Sequence, residues 1–359
     1  MALMMSPKCN GLFQRALSMS GSQNISMSLE TAETQNQPIV DDAGCADSTS
    51  ASTLSCLRSL SASTLVGLIP NSWNEPGVFG MVKGTDGMQW VGLVIVDGVV
   101  IPYSYVESYL KGTIQDVPFF VGNMGQEADQ DPDKFVYNYT SSEWLAFLNN
   151  TYETFDDQFG VEYGTTGHGV YDLYLNESME NPQKAFDAIV ADYGLGCATV
   201  SIMKTVLAPN NRDNPYRSHV YVFANSWNLS KAFLDTDDPS PDYKVHYAYH
   251  TLDLYLVTEN WYNVGDGKYT PTESDLAGSH LLQSYWYQFM KYGNPTQHLD
   301  THNNYLRWLP INETSLWPQD YTIFAIDKLG SSNVINYRKV ICDFNEEIGV
   351  SSGRYWWAN

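Results

Sequence analysis

Positive charge is scarce in this sequence of 359 residues: Lys and Arg number 19 against 41 Asp and Glu, a formal net charge of −22. A surface that acidic repels phosphate backbones and anionic lipid, which argues against nucleic-acid binding and polybasic membrane docking. Long apolar runs are also missing. The run Trp90 to Val96 is stopped by Asp97, well short of the roughly 18 residues expected of a transmembrane helix. The opening residues, Met-Ala-Leu-Met-Met-Ser-Pro-Lys-Cys-Asn, show no basic segment followed by a sustained apolar stretch and do not read as a signal peptide. Cysteine is limited to 5 residues. Cys45, Cys56, Cys197 and Cys342 could form two bridges and leave Cys9 over, or all could be buried thiols of a reducing compartment.

What the sequence does have is core material, with 43% hydrophobic residues, 10 Trp and 25 Tyr, which excludes general disorder. Asn-x-Ser/Thr occurs at Asn24, Asn138, Asn149, Asn176, Asn228 and Asn312, never with Pro in the middle. Short apolar runs bounded by Gly, Pro or Asn read as strands over 16–19, 91–96, 117–121, 220–224 and 322–326. Helical patterns fall between them at 143–148, 184–193, 198–207 and 275–292. Residues 46–64, rich in Ser, Thr and Ala, carry Leu54, Leu57 and Leu60 at helical spacing and read as a surface helix. Strands separated by helices predict an α/β fold with a largely parallel sheet. The acidic, Pro-containing stretch 235–242 reads as a surface insertion.

Nucleophilic catalysis needs a hydroxyl or thiol, a base to take its proton and a carboxylate to orient the base. Among 7 histidines, His250 stands out in Tyr-His-Thr-Leu-Asp-Leu, after a loop and before an apolar stretch; a structural loop histidine is the plain alternative. Glu127 follows the strand at 117–121 and the turn Gly122-Asn-Met-Gly125, just past the carboxyl end of a strand, where open α/β sheets place function. It could equally be a solvated turn residue. His246-x-x-x-His250 has metal spacing but lacks the adjacent Glu of a zinc protease. Asp129-x-Asp131-x-Asp133 imitates a calcium loop but lacks its Gly and its bidentate Glu, and reads as a solvated acidic loop. No metal or cofactor is expected. Phe79, Trp90, Tyr103, Trp261 and Tyr262 could line an acyl pocket or simply belong to the core.

The whole pattern resembles the type-B carboxylesterases, the cholinesterase-like branch of the α/β-hydrolase fold. Ser6-Pro-Lys-Cys-Asn-Gly-Leu-Phe-Gln-Arg through Ser18-Met-Ser20-Gly-Ser22 is similar to the segment that follows that family's nucleophile elbow. Gly44-Cys45 with Ser55-Cys56-Leu-Arg58 resembles its first disulfide loop, and Val96-Asp-Gly-Val-Val-Ile-Pro102 the segment before its acid. Phe120-Val-Gly-Asn-Met-Gly-Gln-Glu127 resembles the acid motif, with Gln126 and Ala128 in place of the usual Asp and Gly. His250-Thr-Leu-Asp-Leu254 resembles the histidine motif, usually His-Gly-Asp-Glu-Leu, with Thr251 and Leu252 as departures. Tyr287 to Pro295 and Tyr337-Arg-Lys-Val-Ile-Cys342 complete the likeness, which covers nearly all 359 residues as one domain, the C-terminal portion of the family's domain.

The resemblance implies Glu127 as the orienting acid, His250 as the general base, Ser20 as a support behind the acid, and disulfides Cys45–Cys56 and Cys197–Cys342 with Cys9 free. It implies a small carboxylic ester as substrate and, with the six sequons, a secreted or extracellular setting. It also implies that the early strands, the oxyanion loop and the Gly-x-Ser-x-Gly elbow are absent from this chain, leaving an incomplete α/β-hydrolase fold with an exposed sheet edge and no catalytic serine. The only literal Gly-x-Ser-x-Gly, Gly349 to Gly353 around Ser351, sits in a polar tail rather than on a strand-to-helix turn. Three readings follow: an incomplete ester hydrolase that is inactive alone, a noncatalytic cholinesterase-like protein of adhesion or recognition, and a secreted binding domain whose acidic surface attracts cations.

Overall fold

Short, nearly continuous apolar runs build the centre of the molecule. The computed structural model describes residues 1–21, 26–47, 49–69, 94–130, 132, 135–208, 220–234, 242–300, 305–311 and 320–348. Seven strands are labelled in chain order: β1 (Ala16–Met19), β2 (Ser26–Ser28), β3 (Val94–Val96), β4 (Phe119–Met124), β5 (Val220–Asn225), β6 (Thr322–Asp327) and β7 (Gly330–Ile335). Five of them form one sheet in the order β1-β4-β5-β6-β7, and β2 pairs with β3 separately. β1, β4, β5 and β6 are mutually parallel; β7 returns antiparallel to β6 with Asp327 opposite Gly330.

Every residue of β4 and β5 is buried, as expected of central strands covered on both faces. Phe119, Val121, Val220, Val222 and Ile323 face one apolar cluster; Phe120, Met124, Tyr221, Phe223, Phe324 and Ile326 face the other. The first cluster is closed by the helices Tyr105–Leu110, Ser141–Thr151, Pro182–Ala191 and Cys197–Leu207, the second by Leu252–Thr258 and Glu273–Tyr292. Gly122 sits where a Cβ would stand 2.3 Å from the Phe223 carbonyl oxygen, so the tight β4–β5 approach admits only glycine. β1 is an outer strand, and its Leu17 is exposed.

The helical stretch Pro182–Leu207 is long and apolar enough to cross a membrane, yet 89% of its most apolar window is buried inside the fold, which marks it as a core helix. The sequence reads here as two helical patterns, 184–193 and 198–207, and Asp187 and Asp192 keep the stretch from being one uninterrupted apolar run. Its middle, Asp192–Gly196, is a π-helical turn, a local widening common at special sites. There Asp192 meets Arg338 at 3.2 Å and accepts the Tyr174 hydroxyl at 2.8 Å. The adjoining helix Cys197–Leu207 is bridged to Lys339–Glu347 through Cys197–Cys342, and Cys45–Cys56 closes the first loop. Cys9 is free.

Residues 46–64 form two exposed helices, Ser50–Ser59 and Ala62–Gly67, rather than one. Thr49 and Ser61 cap them through side-chain oxygens that accept backbone N–H groups. Asn24, Phe79, Trp90, Asp131, Asp133, His219, His302, Asn312, Ser351 and most of 235–242 lie outside the described residues.

Candidate active site

Parallel strands bring their carboxyl ends to one edge of the sheet, and the chain continues from two of them into the same small space. Ser20 follows β1 directly, and its N–H donates to the Gly122 carbonyl at 2.8 Å. Glu127 lies three residues past β4, in a turn whose Gly125 N–H donates to the Asn225 carbonyl at the end of β5 at 2.9 Å. His250 arrives from the far side, one residue before the cap of the helix Leu252–Thr258.

The Glu127 side chain is buried, and three hydrogen bonds converge on its carboxylate among the described residues. Oε1 accepts the Ser20 hydroxyl at 2.7 Å and the Met124 N–H at 2.6 Å. Oε2 lies 2.7 Å from His250 Nδ1, and the Glu127 carbonyl accepts the His250 N–H at 3.0 Å. Because an ionised carboxylate only accepts, Nδ1 carries the proton and Nε2 the lone pair. Burial alone would lower the imidazole pKa; the hydrogen bond and charge of Glu127, helped by Asp253, raise it above the ordinary histidine value. That arrangement favours the imidazolium that a general base becomes.

Asp253, on the first turn of the helix after His250, is buried. Its Oδ1 accepts the Leu254 N–H at 2.9 Å, while Oδ2 has no hydrogen-bond partner among the described residues. Burial first, then the Glu127 charge, pushes its pKa up to about 7. Sequence reasoning passed over Asp253 as part of a motif; only its seclusion singles it out.

The departure at Thr251 has a structural cost. Its φ is 69°, in the left-handed region, where a β-branched residue is strained and glycine is not. Ser20 shares the left-handed region with a φ of 51°. Its hydroxyl is held by Glu127 rather than by His250.

The structure brings Ser20, Glu127 and His250 together, but it corrects the reading of Asp129. That residue is not part of a solvated acidic loop: it is fully buried and accepts the backbone N–H groups of His246 at 2.7 Å and Tyr247 at 2.6 Å. His246 is thereby committed through its backbone, and its ring packs on Tyr247 with centroids 3.9 Å apart. No group of three or more His, Cys, Asp or Glu that could hold a metal occurs among the described residues. Trp261 stacks on Tyr269, Lys111 sits over the Tyr103 ring, and Tyr262 is exposed.

The sequons differ in their surroundings. Asn138 and Asn176 are exposed. Asn149 is packed under Gly164 and Gly167 with its Oδ1 buried, and Asn228 donates from Nδ2 to the His246 carbonyl at 3.0 Å.

A family model described as the carboxylesterase family matches residues 1–343. No curated protein matches the chain.

Proposed function

The chain belongs to the carboxylesterase family, and from that premise we propose that Glu127 and His250 are the orienting acid and general base of carboxylic ester hydrolysis through an acyl-enzyme. The α/β-hydrolase fold and an ester-hydrolase-like protein follow from membership. The observation that carries the assignment of residues is the 2.7 Å contact between a buried Glu127 and His250 Nδ1.

In this reading His250 Nε2 takes the proton of a serine hydroxyl as that oxygen attacks the ester carbonyl, and later returns it to the departing alcohol. Glu127 holds the tautomer and stabilises the imidazolium. Ser20 supports the acid and is not the nucleophile, since its hydroxyl donates to Glu127 Oε1. Among the described residues no Gly-x-Ser-x-Gly turn joins a strand to a helix. The chain of residues 1–359, as one domain corresponding to the family's C-terminal portion, is therefore proposed to lack turnover by itself. Loss of a nucleophile from such a unit removes on the order of a millionfold in rate. The two disulfides and the exposed Asn138 and Asn176 support a secreted setting with glycans at those two positions.

The experiment is p-nitrophenyl butyrate hydrolysis by this chain with fluorophosphonate labelling read by mass spectrometry. No turnover and no label are expected. In a longer protein that joins these residues to an upstream Gly-x-Ser-x-Gly turn, H250A and E127Q should each abolish hydrolysis. A labelled Ser20 or Ser351 with His250-dependent turnover, or full activity in either variant, overturns the assignment.

A further inference from the structure

Three donors converge on Asp129. Its Oδ1 accepts the Tyr243 hydroxyl, and its Oδ2 accepts the N–H groups of His246 at 2.7 Å and Tyr247 at 2.6 Å. All three belong to the segment that leads into His250. Nearer the sheet, the Gln126 N–H donates to the Ala248 carbonyl at 3.0 Å, and the Glu127 carbonyl takes the His250 N–H at 3.0 Å. The turn 126–129 and the segment 243–250 are thus zipped together, with Asp129 at one end and the Glu127–His250 pair at the other. In a dry site a carboxylate is tolerated only when it is fully satisfied, so the zip and the charge on Asp129 depend on each other.

Beside Asp129 stands Asp187, equally buried, on the helix Pro182–Ala191. Gln183 Nε2 donates to Asp187 Oδ1 at 3.0 Å, while Gln183 Oε1 accepts the Val136 N–H at 2.7 Å. Asp187 Oδ2 has no donor among the described residues, as suits an oxygen that carries its own proton. Two adjacent carboxyl groups in a dry site do not both ionise. Burial and the Asp129 charge push the Asp187 pKa well up. Burial pushes the Asp129 pKa up as well, opposed by the Tyr243 hydroxyl, the N–H groups of Tyr247 and His246, and the His246 charge; Tyr243, Tyr247 and His246 are the other groups facing this pair. Lys184 lies 5.6 Å over the Tyr247 ring and pairs with Glu180.

We infer that Asp129, held by three donors of the segment 243–250 and packed beside the buried Asp187, is a positioning residue for His250: it fixes that segment so that the imidazole meets Glu127. The inference rests on the acid–base reading of Glu127 and His250. Loss of the Asp187 proton as the pH rises sets two negative charges side by side and loosens the segment.

The test is an NMR titration of the His250 Cε1–H signal in histidine-labelled protein of residues 1–359, with H250A identifying the resonance. E127Q is expected to return the His250 pKa towards the ordinary histidine value. D129N should lower it as well, although Glu127 is intact. D187N supplies an amide donor in place of the carboxyl O–H. It should leave the His250 titration unchanged and remove a second shift of the same signal that the wild type shows as Asp187 ionises. Y243F takes one donor from the same carboxylate, should lower the value in the same direction, and serves if D129N does not fold. An unchanged His250 pKa in D129N or Y243F, with a lowered one in E127Q, overturns the positioning role alone, as does a second shift that persists in D187N. An unchanged value in E127Q overturns the acid–base reading instead.

Discussion

Glu127 binds His250 twice, through the carboxylate at 2.7 Å from Nδ1 and through its own carbonyl, which accepts the His250 N–H at 3.0 Å. The first bond depends on charge and the second does not, so the backbone contact holds the histidine near the acid at any pH while the side-chain contact titrates. The folded pKa of His250 is raised. Its pair with Glu127 therefore stabilises the fold fully below the unfolded histidine value of about 6.5 and loses that contribution as the pH rises through the folded pKa. E127Q should cost on the order of 1 kcal/mol at pH 5 and much less at pH 9, read from thermal unfolding at the two pH values. An equal loss at both would deny the charge-assisted bond.

Asp253 works against stability at alkaline pH. Its folded pKa is about 7, above the unfolded value, so the fold loses stability as the pH rises from about 4 to 7. D253N removes that penalty. It should raise the unfolding free energy at pH 8 by up to about 4 kcal/mol and change it little at pH 4.5, measured by denaturant titration. A variant no more stable than wild type at pH 8 would mean that the carboxylate is satisfied there.

Thr251 occupies a left-handed φ of 69° directly after the catalytic histidine candidate. T251G relieves this strain, and the gain should exceed the added chain entropy of glycine, leaving about 1 kcal/mol of stabilisation. A lower melting temperature in T251G would show that the threonine side chain makes a compensating contact.

The Cys197–Cys342 bridge closes a separation of 145 residues and joins a core helix to the Lys339–Glu347 helix. In the chain-entropy picture it contributes about 5 kcal/mol. The double variant C197S/C342S should unfold at far lower denaturant concentration, whereas C9S should behave as wild type. Recovery of Cys45 and Cys56 as free thiols in a peptide map of the native protein would count against the secreted setting.

Much of this molecule is legible one segment at a time. Short apolar runs bounded by Gly, Pro or Asn locate β1, β4, β5 and β6 to within a few residues, because a strand covered on both faces is apolar along its length. β7 escaped notice: Gly-Ser-Ser-Asn-Val-Ile has turn-like composition and an exposed pattern, and it becomes a strand because β6 offers it hydrogen bonds. The helix Leu29–Asp42 also escaped, since Pro38 within it signals a break. At the site, Glu127, His250 and Ser20 were readable from motifs, while Asp129 was misread because its neighbours in sequence are acidic and its neighbours in space are donors.

The sequence by itself determined the α/β class, the family likeness, the cysteine pairs that the likeness implied, and the residue types available for acid–base chemistry, since periodicity and short motifs are local properties of the chain. Only the tertiary structure decided which carboxyl groups are dry. Asp129, Asp187, Asp192 and Asp253 look alike in sequence, and each acquires its charge state from partners distant in the chain: Tyr243 and the backbone at His246 and Tyr247, Asp129 itself, Arg338, and Glu127. Burial removes the water that would have made them equivalent, and the remaining donors and charges set them apart.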